Sequence, residues 1–116
     1  MSEDEQPLML TRSLAVRMRA LLNPSDRSDP DWASVASQFG MYSVFVLIEK
    51  DPLDGDQYLR GAFLSRPKAD AEAAKADALA KQEQPPNASF NAYVRVCTMT
   101  ISELLDRRRW LVESLS

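Results

Sequence analysis

Histidine is absent from this 116-residue chain. Its absence removes the commonest general base, the commonest metal ligand and the side chain that changes charge near neutral pH. Cysteine occurs once, as Cys97, so neither an intrachain disulfide nor a paired-cysteine metal site can form, in keeping with a reducing compartment. Three glycines are too few for most phosphate cradles, and neither a glycine-rich phosphate loop nor a nucleophile elbow occurs. No apolar stretch approaches the roughly 20 residues of a membrane span, and the start, Met1-Ser2-Glu3-Asp4-Glu5, is acidic where a secretory leader would be basic and apolar. The expectation is a cytoplasmic protein that does not enter the membrane. Asn87-Ala88-Ser89 matches a glycosylation acceptor, which without a leader is a chance match. Positive charge is not in excess either. The net charge is -3, Glu3, Asp4 and Glu5 carry all of the excess, and the remainder balances. Nonspecific nucleic-acid binding therefore loses its usual electrostatic footing. With so little chemistry on offer, no catalytic, cofactor-binding or metal-binding residue is nominated, and no cofactor is expected.

What is present describes an architecture. The length and a hydrophobic content of 45% suit one domain over residues 1–116 with a real core. Residues 1–7 read as a frayed tail, 8–40 as a helical part, and 41–116 as strand-strand-helix-strand-helix. Leu10, Leu14, Ala15, Met18, Leu21 and Leu22 recur at helical spacing with Arg12, Arg17 and Arg19 between them, and the helix must stop by Asn23 because Pro24 follows. After a polar linker, Asp29 can cap a second helix with Pro30 in its first turn and Gly40 as a left-handed exit, and Trp32, Val35, Ala36 and Phe39 form its stripe.

Ser43 to Ile48 is apolar at successive positions, as in a strand buried on both faces. Asp51 to Asp56 contains Pro and Asp-Gly turn signals, so Tyr58 to Leu64 folds back antiparallel, with Gly61 marking a bulge or a close backbone approach. Ser65 caps an alanine-rich helix whose Ala69, Ala73, Ala76 and Ala80 make a smooth face, and Asn91 to Thr100 reads as a third strand. Thr100 and Glu103 are spaced as a capping box before a final helix with Ile101, Leu104, Leu105, Leu111, Val112 and Leu115 inward. The fold expected is α+β: a three-stranded antiparallel sheet with two N-terminal helices and one C-terminal helix. The second face of the first strand must be covered by the terminal helices or by a second copy in a homodimer.

Two clusters carry charge that a partner could read. Asp51, Asp54 and Asp56, with Glu49, could in principle collect a hard cation, but the spacing fails the EF-hand pattern, and a solvated hairpin tip that docks a basic partner is the plainer reading. Arg107, Arg108 and Arg109 precede Trp110, a pairing that stacks on bases and grips phosphates. On a regular helix, successive residues point about 100° apart, so the three cannot share one flat patch. Cys97 sits within a strand and reads as a buried structural thiol.

Tyr58-Leu-Arg-Gly-Ala-Phe-Leu-Ser65, followed by Ala69, Ala73, Ala76 and Leu79, resembles a segment of small uncharacterised bacterial and phage proteins, in which Gly-x-Phe-x-Ser leads into an alanine-rich helix. The resemblance covers about half the chain and implies the strand-strand-helix-strand topology and a microbial or viral origin, with no catalytic residue to carry over. Asp31-Trp32-Ala33-Ser34-Val35-Ala36 with Gly40 resembles the second helix of death domains, which implies an adaptor role and six helices, two of them where Val44 to Ile48 and Tyr93 to Val96 read as strands.

The function expected is a small non-catalytic module that binds another protein: an inhibitor, immunity, anti-defence or regulatory protein. The alternatives are a nucleic-acid binder using Arg107, Arg108 and Arg109, which the charge balance disfavours, and a death-domain-like adaptor.

Overall fold

The computed structural model describes residues 8–23, 29–50, 56–83 and 93–115. Along the chain run α1 (Arg12–Leu22), α2 (Trp32–Phe39), β1 (Ser43–Lys50), β2 (Gln57–Phe63), α3 (Arg66–Glu83), β3 (Tyr93–Thr100), α4 (Ile101–Arg107) and α5 (Arg109–Glu113). The class is α+β, with one antiparallel three-stranded sheet in the order β2-β1-β3. Residues 43–50 and 93–100 are strands where a six-helix death domain needs helices. The tail, the linker after Asn23, the hairpin turn at 51–55 and the stretch 84–92 lie outside the described residues. No helix among the described residues is long and apolar enough to cross a membrane.

The internal division differs from the expected one at residues 40 and 41. Two compact units form, one of Met1–Val44 with Met99–Ser114 and one of Phe45–Thr98 with Leu115–Ser116. The chain's last helices thus join its first ones in a helical unit. The reason is packing: α1 lies on α2, α2 on α4 and α4 on α5, and Ala15, Met18, Val35, Phe39, Ile101, Leu104, Leu111 and Val112 are all buried. Backbone pairing adds to it, because Ser43 bonds to Leu8 and Leu10 while the amides of Ile101 and Ser102 donate to the carbonyls of Tyr42 and Gly40.

Local chemistry explains where these helices begin and end. Thr11 Oγ1 accepts from the Leu14 amide at 3.2 Å, and α1 ends at Asn23, one residue before Pro24. The cap of α2 is Asp31, not Asp29. One carboxylate oxygen of Asp31 accepts from the Ser34 amide at 3.2 Å and the other from the Ser34 hydroxyl at 2.9 Å. Its own amide donates to the Leu21 carbonyl of α1, which places the cap and leaves Pro30 ahead of the helix. Asp31→Ala should therefore cost about 1 kcal/mol in a denaturant titration, while Asp29→Ala should stay within about 0.5 kcal/mol.

Gly40 does not make a left-handed exit, since its φ of -59° and ψ of -29° are right-handed helical. Its value is the missing side chain. A Cβ there would press into the Ala36 carbonyl oxygen and stand 3.4 Å from Ser102 Cβ, at the point where the Ser102 amide reaches the Gly40 carbonyl at 3.1 Å.

In the sheet unit, the hairpin pairs Phe45 with Phe63, Val46 with Ala62 and Leu47 with Gly61, then Ile48 with Leu59. Arg60 is the extra residue, so the bulge lies beside Gly61, where the sequence signals it. The Phe63 ring covers Gly61, and a Cβ there would come within 3.0 Å of it. Val46, Leu47 and Ile48 are buried in succession and Phe45 is half-buried, so β1 is withdrawn from solvent on both faces. Three of the four alanines expected on the smooth face of α3 are inward, and the side chain of Ala80 lies outside the described residues. Ala69 is buried, Ala73 and Ala76 are half-buried, and the helix packs on β2. Ser65 Oγ accepts from the Lys68 amide at 3.3 Å, and Glu72 pairs with Lys75 at 3.1 Å on the solvent side.

Candidate interaction surface

The C-terminal helix expected as one piece is two. Thr100 caps α4 with its Oγ1 accepting from the Glu103 amide at 3.1 Å, one half of the expected capping box, but the chain leaves helical geometry at Arg108, with φ of -146° and ψ of 76°. No glycine or proline forces the break. The apolar stripe does. In an unbroken helix, Arg108 would fall one turn past Leu104 and one turn before Leu111 and Val112, on the buried face, and a guanidinium there would be desolvated without a partner. Breaking at Arg108 keeps both halves of the stripe buried and puts the guanidinium in solvent.

The break also redistributes the basic run. Arg107, Arg108 and Arg109 no longer follow a single helical screw, and all three are exposed. Arg109, the first residue of α5, lays its guanidinium over the Trp32 ring, with the central carbon 4.9 Å from the ring centroid. Such a contact contributes about 0.5–1 kcal/mol at an exposed site and ties the start of α5 to the first turn of α2. Trp32 is accordingly half-buried under a cation instead of sealed in the core as its stripe suggests, and Ala36 of the same stripe is exposed. Arg107 and Arg108 form no ion pair among the described residues. Trp110 follows them with 53% of its surface exposed.

Of the acidic candidates, Glu49 and Asp56 fall among the described residues. Glu49 is engaged by Arg60, whose Nη2 and Nε lie 2.6 and 3.1 Å from one carboxylate oxygen while its guanidinium also covers the Tyr58 ring. Asp56 is exposed, and Asp51 and Asp54 lie outside the described residues. Among the described residues no three acidic or cysteine side chains gather as metal ligands. Cys97 is half-buried on β3 and not sealed away. Sequence reasoning nominated the arginine run but missed the part Trp32 plays beside it. The visible sign of the break was a charged residue in the heptad position of an apolar stripe.

Compared with known proteins, the chain matches no family model, no curated protein and no solved structure.

Proposed function

We propose that this protein is a small non-catalytic recognition module that acts by binding another protein, in the manner of an inhibitor, immunity or regulatory protein. The observation that supports it is the α4–α5 corner, where Arg107 and Arg108 stand exposed without ion-pair partners among the described residues beside an exposed tryptophan. Arginine and tryptophan are the side chains that most often dominate binding energy at protein interfaces, because each offers a large area with directional contacts at modest entropic cost. The nucleic-acid reading uses the same residues and is weaker, since Glu103, Asp106 and Glu113 flank the arginine run on both sides and would repel successive phosphates.

The test compares wild type with Arg107→Gln/Arg108→Gln/Trp110→Ala as bait in a nuclease-treated host lysate, followed by light scattering of the reconstituted complex. Wild type should hold a stoichiometric protein partner that the triple variant loses. A complex destroyed by nuclease, or a partner retained equally by both baits, would overturn the reading.

A further inference from the structure

The basic residues are not spread evenly over the chain. Lys50, Lys68, Lys75 and Lys81 all belong to the sheet unit, whereas every basic residue of the helical unit is an arginine, and both tryptophans lie in the helical unit too. Their surroundings differ as well. In the sheet unit Arg60 is spent on Glu49 and Arg66 faces Asp70 at 3.8 Å. In the helical unit Arg19 is engaged, whereas Arg12, Arg17, Arg107, Arg108 and Arg109 form no ion pair among the described residues, Arg108 donating one Nη1 hydrogen bond to the Arg107 carbonyl at 3.2 Å. A residue kept as arginine, exposed and unneutralised offers a planar fork of donors, the shape that takes a carboxylate through two parallel hydrogen bonds.

We propose that the α4–α5 corner receives an acidic segment of the partner protein, its carboxylates gripped by Arg107 and Arg108 and an apolar side chain laid on Trp110. This rests on the recognition reading above and names the chemistry of the partner. Arg109 adds to the local field, but the Trp32 ring already holds its guanidinium, so it frames the surface. Glu103, Asp106 and Glu113 set the ligand's length and charge. A few carboxylates facing two forks are attracted, while a long polyanion would run onto acids of its own sign. An apolar residue among the acids uses the exposed Trp110 ring, which a phosphate backbone alone would leave wet.

The experiment titrates isotope-labelled full-length protein with three probes: a short synthetic peptide of glutamates around one leucine, the same peptide with lysine for glutamate, and a short single-stranded oligonucleotide. Amide and indole signals are followed by NMR. The glutamate peptide should shift the amides of residues 107–110 and the Trp110 indole, and should weaken several-fold on raising salt from about 20 to about 200 mM. Arg107→Gln/Arg108→Gln should bind it roughly tenfold more weakly, and Trp110→Ala should also lose affinity, with the remaining spectrum reporting an intact fold in each. If the lysine peptide moves these signals and the glutamate peptide does not, the acidic-partner inference fails and the recognition reading survives. If only the oligonucleotide moves them, both fail. Silence towards all three probes, or glutamate-peptide binding unchanged in the double variant, overturns the inference and leaves the recognition reading to the bait comparison.

Discussion

Leu104→Ala is expected to lower the stability of the protein by about 2–5 kcal/mol, read as an earlier midpoint in denaturant at unchanged slope. Leu104 is fully buried on α4, which packs against both α2 and α5, so truncation removes apolar contacts and leaves a space that three short helices cannot close by small shifts. The helices themselves contribute little resistance, because pieces of 7, 8 and 5 residues are far too short to persist without their packing. Trp32→Ala should cost less than Leu104→Ala, since its ring is half-buried and one of its contacts is the Arg109 guanidinium. The reverse order would show that α2 is seated differently in solution.

Deleting residues 1–40 should have the larger effect and abolish cooperative folding. The deletion removes α1 and α2 and with them Met18, Leu22, Val35 and Phe39, leaving Ile101 and Leu104 of α4 to face water. Each such side chain is worth roughly 1.5–3 kcal/mol when buried, so the loss exceeds what a small domain holds in reserve. The Ser43 amide and carbonyl would also lose Leu8 and Leu10, and the Ser102 amide would lose the Gly40 carbonyl. Light scattering and a thermal melt of fragment 41–116 provide the check. An aggregated or non-cooperative product is expected. A monomeric fragment that melts in one sharp transition would instead make the N-terminal helices a separate arm and move the search for the binding surface onto them.

Much of the architecture was legible because its causes are local. Successive apolar residues marked β1, Gly61 marked the bulge at Arg60, and Ser65 and Thr100 announced the helices that follow them. The misreadings share a different cause. Asp29 and Asp31 flank Pro30 and either could cap by chemistry; the choice fell to the Leu21 carbonyl, which holds the Asp31 amide. Gly40 invited a left-handed turn, but its backbone is right-handed helical and the Ala36 carbonyl oxygen, against which a Cβ would press, explains its small size. A single C-terminal helix satisfied the apolar pattern except at Arg108, and the cost of burying that guanidinium outweighed helical continuity.

By itself the sequence determined the strands, the hairpin, most helix starts, and the absence of histidine and paired cysteine that limits the available chemistry. Those properties follow from residue type and spacing, which act over a few positions. Only the tertiary structure decided that the last helices join the first ones, that Arg109 is held on Trp32, and that Arg107, Arg108 and Trp110 are exposed. Burial and ion pairing depend on which side chains meet across space, and those neighbours come from opposite ends of the chain, beyond the reach of any local pattern.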